Sequence, residues 1–304
     1  MDYRSTIASI DLEVLRSSLG LPAESPAEPS GCGSVRERDV IFVSIDFEGL
    51  SSIMDATTVS QGQIGIAIFD TQDLSPSLSS SPSVESMITT YNFVTGSSRY
   101  CASATKRFLF GETVKISQRQ MLVKLESVIP RTKNIILVGH AIRNDMAVLR
   151  YLKFDIRTSI LGILDTQQIA PEVISASSGS LRDILTELRC PFDNLHSAGN
   201  DANFTLRALL LLAVQSYADE TLCQEDQRTL ESIKGIAESP IPNRPFLDHA
   251  RALKKKMKRL EKSRKHQSKS WDTETKERIR AERAERAARR VMLVLRENVA
   301  LQLF

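Results

Sequence analysis

Val40-Ile-Phe-Val-Ser-Ile45 constrains the chain more than any other stretch. It is apolar at five of six positions and β-branched at four, with no polar alternation, as a strand covered on both faces requires. Such a strand needs packed layers above and below it, and 304 residues at 41% hydrophobic content can supply them. Gln63-Ile-Gly-Ile-Ala-Ile-Phe69 and Ile88 to Val94 read as further strands, Gln118 to Ile129 as a helix ended by Pro130, and Asn134 to Gly139 as another buried strand. A helix from about Asn144 to Leu152, a strand over Ile160 to Leu164, and helices over Ser180 to Leu188 and about Asp201 to Val214 complete the series. Three strands followed by alternating helix and strand predict a mixed α/β fold on one sheet.

The ends differ in texture. Residues 1–38 are rich in Ser, Pro and Glu and read as a mostly disordered leader, apart from a short helix around Ile10 to Leu19. The folded domain is expected over 39–217, with a flexible Ser-rich insertion at 73–86. Residues 218–304 form a polar linker and a basic helical tail, whose apolar end suits a protein partner or self-association. The net charge of +3 conceals an asymmetry: Arg251 to Arg290 holds 17 Lys/Arg against 6 Asp/Glu, which leaves −8 for the rest. Lys254, Lys255, Lys256, Lys258 and Arg259 read as a nucleic-acid-binding patch or nuclear import signal, the alternative being a solvated helix face. For Ala281 to Arg290, laced with pairs such as Glu285 and Arg289, the solvated face is preferred.

Cys32, Cys101, Cys190 and Cys223 show no metal-ligand spacing and read as reduced thiols of an intracellular protein. The N-terminus lacks a basic segment followed by an apolar one, and no apolar stretch is long enough to span a bilayer. The expectation is a cytoplasmic or nuclear protein with no membrane partner.

Asp46-Phe-Glu48 comes directly off the buried strand, unlike the other two D-x-E pairs, Asp11/Glu13 and Asp272/Glu274. A period of two puts both carboxylates on one face, with Cα atoms roughly 6.5 Å apart. Crowded acids at the end of a buried strand repel unless a cation neutralises them; a solvated, idle strand terminus is the alternative. Asp145 falls on the helical stripe of Leu149 and Leu152, where it either caps the helix start or points into the same pocket. His196 and Asp201 are five residues apart, about 500° around a helix, so they cannot share a helical face. The natural arrangement puts His196 on a loop and Asp201 in the first helical turn, with Gly199 giving freedom between them. Mg²⁺ takes oxygen ligands, two such ions can activate water and stabilise a leaving oxygen, and a neutral imidazole can accept the water's proton.

With Asp46-Phe-Glu48, His140-Ala-Ile-Arg-Asn-Asp145 and His196-Ser-Ala-Gly-Asn-Asp201 in this order and context, the chain resembles the DEDDh 3′–5′ exonucleases. Within them, FVSIDFE, RFLFGE and HSAGNDANFTLRALL are similar to a fungal group, the Gfd-type exonuclease-like proteins. The resemblance covers about residues 38 to 215. It implies a ribonuclease-H-like, mixed five-stranded sheet flanked by helices, and two Mg²⁺ or Mn²⁺ ions. Asp46, Glu48 and Asp201 would hold the catalytic ion, Asp46 and Asp145 the second, and His196 would be the general base. The implied substrate is RNA or single-stranded DNA, cut to nucleoside 5′-monophosphates. Gly49 departs from the pattern, since many relatives carry there a Thr that helps seat the terminal nucleotide. The competing expectation is a nuclease-fold nucleic-acid-binding or scaffold protein of RNA metabolism with weak turnover.

Overall fold

The computed structural model describes residues 3–22, 39–54, 61–74, 87–175, 179–218 and 220–242, with 257, 275–278, 280–286 and 289. The chain divides into two units, 1–242 and 243–304. The first is built on a mixed sheet of β1 (Val40–Glu48), β2 (Gly62–Asp70), β3 (Thr89–Thr95), β4 (Thr113–Lys115), β5 (Asn134–Gly139) and β6 (Ile160–Asp165). Their order is β4-β3-β2-β1-β5-β6. The pairs β1/β2 and β2/β3 are antiparallel, whereas β1/β5, β5/β6 and β3/β4 are parallel. This is the ribonuclease-H-like arrangement, with six strands instead of the expected five. The added strand, β4, is a three-residue edge piece, too short to show a period of its own.

The doubly covered strand takes the place its composition demands. Ile41, Val43, Ile45 and Phe47 face one core, shared with α4 (Met121–Val128) and α5 (Arg143–Tyr151). Phe42 faces the other core, together with Ala67, Phe69 and Val138. At the centre of that second core is α8 (Ala198–Gln215), buried from Ala198 through Ala213. A helix that is apolar around most of its circumference must be covered on every side. Besides the sheet, α6 (Thr166–Val173), α7 (Leu181–Glu187) and α9 (Gln224–Ala237) supply that cover.

The helix expected around Ile10 to Leu19 is present and starts earlier, whereas a second element departs from expectation. The leader begins with α1 (Tyr3–Ser18), which packs Leu15 into the α8 core, joined by Leu19 and Leu21 just beyond it. Arg16 fixes this helix by donating to Ser216 Oγ at 3.1 Å, pairing with Glu220 at 3.1 Å and lying over the Tyr217 ring. The supposed linker contains α9, whose Ile233, Ile236 and Ala237 are buried. Among the helices not read from the sequence are α2 (Leu50–Met54) and α3 (Ser98–Arg107), the latter burying only Cys101 and Ala104. Most of the Ser-rich insertion, and Lys254, Lys255, Lys256, Lys258 and Arg259 of the basic patch, lie outside the described residues. Where the tail is described, at 275–278 and 280–286, it is helical, as expected of the extension. Cys101, Cys190 and Cys223 form no disulfide among the described residues. No helix among the described residues is long and apolar enough to cross a membrane.

Candidate active site

Asp46 and Glu48 lie on the α8 side of β1. Asp46 is directly opposite Gly65 on β2, which is opposite Asn92 on β3; Glu48 is opposite Gln63. Gly65 is what allows α8 to come down beside Asp46. A Cβ there would stand 1.9 Å from the Ala198 carbonyl oxygen. Gly199 makes the same allowance one step along, where a Cβ would meet the Phe108 ring at 2.6 Å and Asn92 at 2.8 Å. Two missing side chains thus bring the first turn of an eighteen-residue helix against the strand that carries the acids.

Asp145 is in the first turn of α5 but does not cap it. Its Oδ1 accepts the Phe47 N–H at 3.0 Å, which aims the carboxylate at the segment between Asp46 and Glu48. The carboxylate that satisfies the backbone before α5 is Asp165, at the end of β6. It accepts from Ala141 and Ile142 N–H at 2.9 and 3.1 Å, and from Gln167 N–H of α6 at 2.9 Å. His140 joins the same junction, with Nδ1 at 3.0 Å from Thr166 Oγ1.

The third segment has the expected form, with His196 on the loop and Asp201 in the first turn of α8. His196 is left-handed at φ 64°, and its N–H donates to Asp201 Oδ2 at 2.8 Å. Asn200 braces the loop from beneath. It accepts from Leu109 N–H at 2.9 Å and donates to the Arg107 and Asn194 carbonyls at 2.9 and 3.0 Å. Arg107 donates to the Leu195 carbonyl. The His196 ring stands in solvent, 82% exposed, with Nδ1 3.7 Å from Glu48 Oε1.

Burial and mutual repulsion raise the carboxyl pKa values. Asp46 is pushed well above the usual range by burial, then by the charges of Asp201, Asp145 and Glu48. Asp145 rises to about 7 through burial, against the opposing bond from Phe47. Asp201 rises to about 7 through burial and the Glu48 charge, with the His196 N–H and Arg107 acting the other way. Two oxygens of this set, Asp46 Oδ2 and Asp201 Oδ1, are shielded from solvent and have no hydrogen-bond donor. Ligand atoms of Glu48, His196 and Asp201 lie within 4.8 Å of one another. Orphaned anionic oxygens that repel each other, in an oxygen-dominated donor set, fit a hard divalent cation.

Asp46, Glu48, Asp145, His196 and Asp201, widely separated in sequence, therefore meet around one end of the sheet. The surroundings are where sequence reading falls short: Asp165, Asn200, Arg107 and Asn92, which accepts the Gly199 N–H at 3.2 Å, all position site segments without being candidates by residue pattern. Asp165 carried a usable signal, since it too is an acid at the end of an apolar strand. The asparagines carried none, because their partners come from distant segments.

A family model described as "DNA polymerase III subunit epsilon-like, C-terminal domain" (DEDDh_C) matches residues 41–212. A 119-residue stretch is 30% identical to an uncharacterized nucleolar protein of Schizosaccharomyces pombe. That match covers 36% of this chain and 48% of the yeast protein, so the chain spans about half the length of that relative. The match to the family runs from β1 into α8, over more than half of the 304 residues and across every segment of the acid cluster, and the protein belongs to the DEDDh exonuclease family of the DNA polymerase III epsilon type.

Proposed function

We propose that the protein is a metal-dependent 3′–5′ exonuclease in which Asp46, Glu48, Asp145, Asp201 and His196 perform the reaction. The observation that carries this reading is the pair of buried carboxylate oxygens without donors, Asp46 Oδ2 and Asp201 Oδ1, among acids that repel one another. Asp46, Glu48 and Asp201 would hold one divalent cation, and Asp46 with Asp145 a second. Two Mg²⁺ or Mn²⁺ ions there would supply charge stabilisation at the attacking water and at the leaving oxygen. The chain's own residues do the rest. The Phe47 N–H holds Asp145 in place, and the His196 N–H fixes one oxygen of Asp201, leaving the other to face the site. His196 turns Nδ1 toward Glu48, so Nε2 is the atom that takes the water's proton as the oxygen attacks phosphorus and the P–O3′ bond breaks. The product is a nucleoside 5′-monophosphate and a strand shorter by one residue.

The nucleolar name of the yeast relative supports RNA as the substrate and a nuclear location. A second reading, a nuclease-fold nucleic-acid-binding or scaffold protein with weak turnover, is favoured by Gly49. Its φ is +78° and a Cβ would lie 2.3 Å from the Gln61 carbonyl oxygen, so the backbone here excludes a side chain that could seat a terminal nucleotide. One assay separates the two. With 5′-labelled RNA and DNA strands and Mg²⁺ or Mn²⁺, wild type is expected to give a ladder of shortened products, and Asp46→Ala at least about a hundredfold less. Equal activity in the variant, or no ladder from any substrate, refutes the enzyme reading.

A further inference from the structure

The acids account for a reaction but not for how a polyanion is brought to a cluster of negative charge. The unit that holds them belongs to the part of the chain whose charge sums to −8 once Arg251 to Arg290 is set aside. One segment within it has the opposite balance. Residues 96–119 contain Arg99, Lys106, Arg107, Lys115 and Arg119 against the single acid Glu112. At its heart is α3, with three basic residues and no acidic one.

Both ends of α3 are fastened to the site. Near its start, Tyr100 Oη accepts from Gln63 Nε2 at 3.3 Å, and Gln63 is the direct cross-strand partner of Glu48. At its last residue, the Arg107 side chain donates to the carbonyl of Leu195, which precedes His196. The Arg107 carbonyl accepts from Asn200, which precedes Asp201. A ten-residue helix is about 15 Å long. It therefore runs as a rail from the Glu48 strand to the His196 loop. Cys101 and Ala104 are buried beneath it, while Arg99, Ala102, Ser103 and Lys106 form its exposed stripe at helical spacing. Arg99 and Lys106 are two turns apart on that stripe, about 10 Å along the axis. Only small side chains lie between them.

We infer that the exposed face of α3 is the track on which the substrate's single strand rests, with Arg99 and Lys106 binding its phosphates. The inference rests on the nuclease reading for the identity of the strand, but α3 adds a surface outside the acid cluster and made from a different part of the sequence than the Lys254–Arg259 patch. The contacts are to phosphate, so they set affinity and register and not base sequence.

The test uses the full chain and an Arg99→Ala/Lys106→Ala double variant, both sites being exposed. Fluorescein-labelled oligouridylate and oligothymidylate are titrated by anisotropy with Ca²⁺ in place of Mg²⁺, over a range of salt. The variant's dissociation constant should rise roughly tenfold at low salt, and the slope of log affinity against log salt should fall by about 1.4. Arg99→Lys alone should keep the wild-type slope. In Mg²⁺ or Mn²⁺, KM for the strand should rise with little change in kcat, and hydrolysis of the p-nitrophenyl ester of thymidine 5′-monophosphate, too small to reach α3, should be unchanged. An unchanged affinity and slope overturns the inference, as does failure of wild type to bind either strand, or equal loss on the small ester. If binding changes as stated but wild type hydrolyses neither substrate, the track stands and the enzyme reading falls.

Discussion

Ala141 holds a left-handed backbone, φ +53°, at the step between β5 and α5, and only its N–H is needed there, by Asp165. That conformation disfavours an L side chain by about 1–2 kcal/mol, part of which glycine returns as unfolded-state entropy. Ala141→Gly should therefore raise stability by about 0.5–1 kcal/mol, read from urea unfolding. The acids behave in the opposite sense. Asp145 and Asp201 titrate near 7 in the fold against 3.8 for an ordinary aspartate. Between about pH 4 and 7 the folded protein holds protons that the unfolded chain has released, so metal-free stability falls as pH rises through that window. Asp201→Asn keeps an acceptor for the His196 N–H and removes the charge. In chelator it should exceed wild type by on the order of 2 kcal/mol above pH 7 and show no advantage below pH 4, by urea melts across pH. At this scale, the five residues that meet at the end of the sheet were legible because each sits at an abrupt change from apolar strand or polar loop to helix. Asn92 and Asn200 were not, because an amide is informative only once its partners are known.

Elements were legible in proportion to the length of their apolar period. The five longer strands and the central helix stand out from Val40 to Val214, whereas β4 has three residues and α3 buries only a cysteine and an alanine. α9 hides in polar composition because it covers α8 with one narrow stripe, Ile233, Ile236 and Ala237, whereas α1 is legible only in its second half, around Ile10 to Leu19. What could not be read at all is the close approach of two elements. Gly65 looks like an ordinary interruption of a strand, yet the Ala198 carbonyl occupies its side-chain position. Gly65→Ala must push the first turn of α8 away from Asp46. We expect a loss of roughly 2–4 kcal/mol in stability and weakened Mn²⁺ binding measured by calorimetry. Unchanged Mn²⁺ affinity would show that the contact does not set the distance between Asp46 and Asp201.

For the molecule as a whole, the packed unit ends later than composition suggests. Arg207, buried within α8, donates to the Ala237 carbonyl at the end of α9 at 3.4 Å and to Asn203 Oδ1 at 2.8 Å. A chain ending at Pro242 should unfold at the wild-type midpoint for this unit. One ending at Tyr217, where the polar stretch begins, loses α9 and should be weaker by roughly 4 kcal/mol or more, by thermal or urea unfolding. Equal stability of the two would mean that α9 contributes nothing to the core.

The hydrogen bond from Arg16 to Ser216 joins residues 200 positions apart, and Leu15, Leu19 and Leu21 share their core with α8. During synthesis this leucine stripe is made while its partner helix is still untranslated. At about 5–20 residues per second it waits roughly 10–40 s for α8, longer than most elementary folding steps. For that interval the nascent chain carries an apolar ridge whose native cover, α8, has yet to be made.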